Sequence, residues 1–325
     1  MQKKGESQRF RVVGVGENSV DLVVTVPHHP APNEKLEALD VVALPGGQVA
    51  SALVACARLG CDTRYLGSFG DDAHARLIEE ALRREGVDTA RCRHVRAPNR
   101  SALILVDAAA ATRTVLWRRD PALDWPPEDM TSELLSEAGV LMLDATDLEA
   151  AVAAAVLARN AGVTVVADVD RPQPGLDRLL PHVDVLIAAE GFPQAMTGEA
   201  SLGPAMRILR TRHPLALIVV TLGAGGAVAW NGETEIVSPG FVVPVVDPTG
   251  AGDAFRAGFV RAWLAGGRDI AGLLDHANAT AALNCRAVGA QTGLPTFPEV
   301  QALVTDRAAP RSNGHGFGSE RRGGG

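Results

Sequence analysis

Asp247-Pro248-Thr249-Gly250-Ala251-Gly252-Asp253-Ala254-Phe255 is the stretch on which the reading of this chain turns. Its glycines and alanines let the backbone turn tightly and bring N–H groups against an anion, where a larger side chain would obstruct. Downstream the pattern is helical: Phe255, Gly258, Phe259, Ala262 and Trp263 recur at helical spacing and mark one apolar face. Upstream, Phe241 to Val246 reads as a strand. A strand, a turn of small residues and a helix N-terminus together hold phosphate, because unpaired amides and the helix dipole both point at the ligand. Asp253 places a carboxylate in that cradle. It is either an ordinary N-cap or a base that takes a proton from a hydroxyl attacking a phosphoryl group.

The nonapeptide resembles the C-terminal signature of the ribokinase-like (PfkB family) carbohydrate kinases, D-T-x-G-A-G-D-x-F, with Pro248 where Thr is common. The resemblance favours the catalytic reading of Asp253. It implies an α/β, ribokinase-like fold: a doubly wound, mainly parallel sheet flanked by helices, with a small projecting β-sheet lid. It also implies transfer of the γ-phosphoryl group of ATP to a sugar hydroxyl. The amides of Gly250, Ala251 and Gly252 would hold the charge that develops on the phosphoryl oxygens.

Composition agrees with one large α/β core. The chain has 325 residues, 46% of them hydrophobic, enough for a single core with a small appendage. A net charge of −7 gives no footprint for nucleic acid or an anionic membrane. The lysines are Lys3, Lys4 and Lys35, so no G-x-x-x-x-G-K-[ST] exists and a P-loop enzyme is excluded. Cys56, Cys61, Cys92 and Cys285 form no C-x-x-C pair or zinc spacing and read as buried thiols in a reducing compartment. Met1 to Arg9 is too polar for a signal peptide, and no apolar run of about 18 residues is present. A cytoplasmic, soluble protein is expected.

At the N-terminal end, Phe10 to Val15 is an apolar run ending in Gly14-Val15-Gly16. A dinucleotide fingerprint fails there, because the third glycine is missing and Val20 to Val26 continues as strand. Asp21, set among apolar residues, needs partners: a structural hydrogen bond, or, as the resemblance implies, sugar hydroxyls. The family's Asn two residues before it is Ser19 here, with Asn18 one position off. Leu39 to Leu44 resumes strand character, and Gly46-Gly47-Gln48-Val49-Ala50-Ser51-Ala52 opens a helix that stops at Gly60. That segment is similar to the family's G-G-x-x-x-N-x-A, in which the glycines serve as hinge and substrate contact. Ser51 stands in place of the Asn, so an amide that would hold a sugar hydroxyl is lost.

Tyr65 to Asp72 reads as strand then loop, with Asp71 and Asp72 as capping charges for a helix closed by Gly86. Ser101 to Val106 and Thr112 to Trp117 read as a hairpin completing the projecting layer. Arg118 and Arg119 end it, either solvated or reaching an anion. From Gly139, short apolar strands alternate with helices: Val140 to Leu143, Val163 to Ala167, Val183 to Ala188 and Leu217 to Thr221. This rhythm specifies a parallel, right-handed, doubly wound sheet, which takes ligands beyond the carboxyl ends of its strands. Asp144 lies at such an end, where family members place an acid for the sugar.

The resemblance also assigns the nucleotide side. Thr221, Gly223 and Gly226 match the T-x-G-x-x-G loop along the ATP phosphates, although a plain hairpin turn is the other reading. Asn278 fits a residue near adenine, and His276 reads as packing. The family's N-x-x-E, which orders Mg²⁺ through water, falls on Ala189 and Phe192. Mg²⁺ would then be held by ATP phosphates and water, as in ketohexokinase-like members. Gly289-Ala290-Gln291 resembles a loop for a monovalent cation such as K⁺, with Asp247 and Thr249 as partners. The kinase domain is expected over 10–305, with lid strands from about 18–45 and 98–120. Tails 1–9 and 308–325 are expected to be disordered. The expected partners are a small sugar and a second copy joined through the lids, with no nucleic acid and no membrane. The acceptor is expected to be ribose or fructose in type, with a nucleoside kinase, or a silent sugar-binding regulator of the same fold, as alternatives.

Overall fold

The structure, a computed structural model, describes residues 11–110 and 112–308. The expected disordered tails fall outside these residues, except Ala308, which ends a helix. In chain order the strands are β1 (Arg11–Val15), β2 (Ser19–Val26), β3 (Asp40–Gly46), β4 (Asp62–Leu66), β5 (Ser68–Phe69), β6 (Arg93–His94) and β7 (Ser101–Asp107). They continue with β8 (Thr112–Arg118), β9 (Val140–Leu143), β10 (Thr164–Val169), β11 (Val185–Ala189), β12 (Leu217–Thr221), β13 (Ala227–Trp230) and β14 (Glu235–Ser238).

Eight strands form the main sheet in the order β14-β13-β12-β11-β10-β9-β1-β4. From β12 to β4 neighbouring strands are parallel, while β13 and β14 add an antiparallel edge. Alternate side chains feed two separate cores. Val12, Met142 and Val166 pack on one face with helices Gln48–Arg58, Ala251–Leu264 and Ile270–Asn284. Val13, Leu141 and Val165 pack on the other with helices Leu148–Asn160 and Leu202–Arg212. Burial on both faces explains why these strands read as continuous apolar runs. Each fully buried Val or Leu contributes about 1.5–3 kcal/mol.

The lid is a four-stranded sheet in the order β3-β2-β7-β8. Its register puts Leu44, Asp21, Ala102 and Trp117 in one row across the sheet, so these side chains share a face. Val42, Val23, Ile104 and Val115 form the row two residues along.

The expected strand Phe241 to Val246 does not form; the segment is irregular, with Val242, Val245 and Val246 exposed. Pro244 accounts for this, since it removes a ladder donor from the middle of the run. The segment is fastened instead by the amides of Val246 and Asp247, which donate to the Cys285 carbonyl.

Candidate active site

Helix Ala251–Leu264 begins directly after Gly250, which caps it in the left-handed region at φ +76°. A Cβ on Gly250 would lie 2.5 Å from the Ala290 carbonyl oxygen, so only glycine permits this turn against the 289–291 loop. The turn is keyed from below by Asp247. One of its carboxylate oxygens accepts the Thr249 amide at 2.8 Å and the Thr249 hydroxyl at 2.7 Å, and the other accepts the Gly289 amide at 2.7 Å. Asn284 adds a bond to the Thr249 carbonyl at 3.1 Å and leaves its own Oδ1 buried without a partner. The Ala251 amide donates to the Pro248 carbonyl at 3.2 Å and closes the turn, while the amides of Gly250 and Gly252 take no partner among the described residues.

Asp253 lies in the first turn of that helix, with its side chain 13% exposed. Burial pushes its carboxyl well above the usual carboxylate range, while Arg256 pulls it back. Arg256 is fully buried. Its Nη2 donates to Asp253 Oδ1 at 3.2 Å and to the Gln48 carbonyl at 2.8 Å. Its Nη1 lies 3.2 Å from Asp168 Oδ2. Asp168 is likewise raised by burial and lowered by Arg256. Two carboxylates from different elements thus share one guanidinium. An unpaired buried charge would be strongly destabilising, so the three residues stand or fall together.

The lid side is built on two glycines. A Cβ on Gly46, at the end of β3, would sit 2.2 Å from Asp21 Oδ2. Gly47 has φ +94°, and its Cβ would meet Asn18 Cα at 2.5 Å. Here the lid chain passes into helix Gln48–Arg58 in direct contact with β2, and side chains would push it away. Asp21 accepts from the Ser19 hydroxyl at 2.7 Å, and burial raises its carboxyl.

Three of the residues expected to contact the sugar have internal hydrogen-bond partners. Asn18 spends its amide inside the protein: Nδ2 donates to the Tyr65 hydroxyl and the Ser68 carbonyl, and Oδ1 accepts from Asn99. Ser51 is fully buried and accepts from Gln291 at 3.2 Å. Asp144 is 1% exposed, its carboxylate accepting the Glu17 amide at 2.8 Å and the Thr146 amide at 2.9 Å. In each case local polar groups take the side chain, because a buried polar atom without a partner is costly.

On the opposite side, β12 and β13 form an antiparallel hairpin whose turn is Leu222 to Gly226. Thr221 contacts the Ala188 carbonyl at 3.4 Å. Gly223 and Gly226 have positive φ, and a Cβ on Gly226 would meet the Ser238 carbonyl at 2.2 Å. Asn278 does not stand free: Nδ2 donates to the Ser238 carbonyl and hydroxyl and to the Pro239 carbonyl. It props the 238–240 segment against which the glycine loop rests. Parallel pairing brings Asp168 on β10 and Thr221 on β12 to the same carboxyl edge of the sheet.

Among the described residues no group of three or more His, Cys, Asp or Glu is arranged to hold a metal ion. Ala189 ends β11 and Phe192 is buried, so the loop following β11 supplies neither position with a ligand. Residues at the 247–250 turn fit a monovalent cation better, since the Asn284 Oδ1 there is an unpartnered buried acceptor.

A cavity of about 520 Å³ opens under the lid, lined in part by Glu17, Gln48, Trp117, Arg119 and Asp168. Sequence reasoning passed over Glu17, Arg100, Trp117, Arg171 and Arg256. Arg119, where solvation was one of two readings, is only 16% exposed in its side chain and pairs with Asp124. The one legible signal was Arg256, a charge on the apolar side of the helix, one turn before Phe259. Glu17 pairs with Arg100, and burial raises its carboxyl.

Comparison with known proteins agrees with this architecture. The model of the pfkB family carbohydrate kinase matches residues 9–297. Ribokinase of Haemophilus influenzae is 28% identical over 88% of this chain and 95% of its own. An ATP-dependent ribose-1-phosphate kinase of Halopiger xanaduensis is 30% identical over 91% and 99%. Among solved structures, Arabidopsis thaliana ribokinase complexed with ribose and ATP superposes with a TM-score of 0.80 at 27% identity, covering 91% of this chain and 99% of that one. The doubly wound sheet with its lid is the ribokinase fold, and no described helix is long and apolar enough to cross a membrane. The chain belongs to the pfkB family of carbohydrate kinases and is an ATP-dependent carbohydrate kinase.

Proposed function

We propose that the protein transfers the γ-phosphoryl group of ATP to a hydroxyl of a small ribose- or fructose-type sugar, with Asp253 as general base. The sugar oxygen forms a bond to the γ-phosphorus as its proton passes to Asp253. The bond from that phosphorus to the β,γ-bridging oxygen breaks, and ADP leaves. The observation that supports this is the placement of Asp253, a partly exposed carboxylate at the mouth of the Gly250-Ala251-Gly252 turn, held against Arg256. Proton transfer to a positioned base contributes roughly 10²–10⁴-fold. Amide donors aimed at the developing charge contribute about 3 kcal/mol each.

In this reading residues 10–305 act as one kinase unit, and Asp21, Gly46 and Gly47 face the sugar. Thr221, Gly223 and Gly226 line the ATP phosphates, with Asn278 bracing the segment behind them. Mg²⁺ enters with the nucleotide and neutralises its phosphates. K⁺ would sit against the 247–249 turn and stiffen it. The exposed apolar residues of the lid, among them Leu22, Val41 and Leu116, favour a homodimer through that sheet, working in the cytoplasm.

ADP release measured over a panel of sugars with ATP and Mg²⁺ tests the reading. It predicts release that requires a sugar; sugar-independent release, or none with any sugar, contradicts it.

A further inference from the structure

The lid cavity holds arginines whose charge a neutral sugar would leave unused. Arg100 and Arg171 both line it, and both pack against the indole of Trp117, with guanidinium carbons 5.4 and 5.7 Å from the ring centre. Arg100 is ion-paired with Glu17, the approach being through its Nε. Its two terminal nitrogens have no hydrogen-bond partner among the described residues, and Arg171 has neither a hydrogen bond nor a carboxylate there. Two like charges gathered at one ring repel unless an anion lies between them.

The carboxylates of the cavity supply that anion only in part: Glu17 answers Arg100, and none among the described residues pairs with Arg171. Glu17 faces Arg100, Asp124 faces Arg119, and Asp168 faces Arg256. Asp170, the fourth, is exposed. Guanidinium forks fit planar or tetrahedral oxyanions in a way that sugar hydroxyls do not match. The cavity also reaches the chemistry, because Asp168 in its wall shares Arg256 with Asp253.

We propose that the acceptor is a sugar bearing a compact oxyanion, a phosphate monoester or a carboxylate, gripped by Arg100 and Arg171 beside Trp117 while its free hydroxyl reaches Asp253. The hydroxyl end rests on the kinase reading above; the anion end stands on the arginines.

The test compares neutral sugars (ribose, fructose) with their monophosphates and with aldonic and ketoaldonic acids, using ADP release. The expected result is a kcat/KM for one charged class at least about tenfold above that for the neutral sugars, the value of one charge-assisted bond. Phosphates ahead of acids, or the reverse, identify the anion. R171M should raise KM for the charged acceptor roughly tenfold, with R171K recovering part of it, while KM for ATP holds. Neutral sugars used as well as charged ones, or R171M acting alike on both, overturn the subsite and leave the kinase intact. If nothing is phosphorylated, calorimetry with the same compounds decides. Arg171-dependent binding of a charged sugar keeps the subsite without the kinase chemistry, and binding of none overturns it.

Discussion

Arg256 Nη2 lies 3.2 Å from Asp253 Oδ1, and the same guanidinium reaches Asp168 through its other terminal nitrogen. A fully buried arginine therefore sits directly behind the carboxylate in the first turn of helix Ala251–Leu264. It sets both where that carboxylate points and how readily it ionises.

The pH dependence of turnover follows from this pairing. A base must be ionised to act, and burial raises Asp253 above the ordinary value near 4. The acid limb of the kcat profile is therefore expected above that value. Arg256 is the positive charge that pulls Asp253 down, so R256M should move the limb to still higher pH and lose most activity on the acid side. R256K, which keeps the charge, should move it less. R256M should also cost about 3–5 kcal/mol in stability by leaving two buried carboxylates unpaired, read from urea unfolding. An unshifted limb in R256K and R256M alike would contradict the pairing.

Gly250→Ala tests the turn. The substitution puts a Cβ at φ +76° and 2.5 Å from the Ala290 carbonyl oxygen. Strain of about 1–3 kcal/mol is expected, together with a loss of roughly 10²-fold or more in kcat as the amides swing out of line. Thermal unfolding and steady-state kinetics check the two effects separately.

Asn18→Ala distinguishes a structural amide from a sugar contact. The bonds from Asn18 to Tyr65, Ser68 and Asn99 predict a stability loss of roughly 1–3 kcal/mol or more. KM for the sugar should change by less than about threefold. A large KM increase with unchanged stability would restore the sugar-contact reading.

Much of the fold was legible because the inner strands of the parallel sheet are largely buried on both faces, so Val140 to Leu143 or Leu217 to Thr221 could hardly be anything else. The tight turn into helix Ala251–Leu264 was legible because Gly250 and Gly252 are small residues where the chain must bend sharply. What escaped was decided by tertiary partners. Nothing local in the sequence says that Asn18 finds Asn99, that Ser51 finds Gln291, or that Asn278 is spent on Ser238. The arginines of the lid cavity come from three separated positions, and only folding brings Arg100 and Arg171 to one indole. Phe241 to Val246 misread as strand because its apolar content masked Pro244.

Asp253→Asn is the most direct test of the central claim, since it removes the base while keeping the shape of the side chain and its contact with Arg256. ATP affinity measured by calorimetry should stay within about threefold, and kcat with the preferred sugar should fall by roughly 10²–10⁴-fold. Turnover within tenfold of the unmodified enzyme would contradict the assignment of Asp253 as the base.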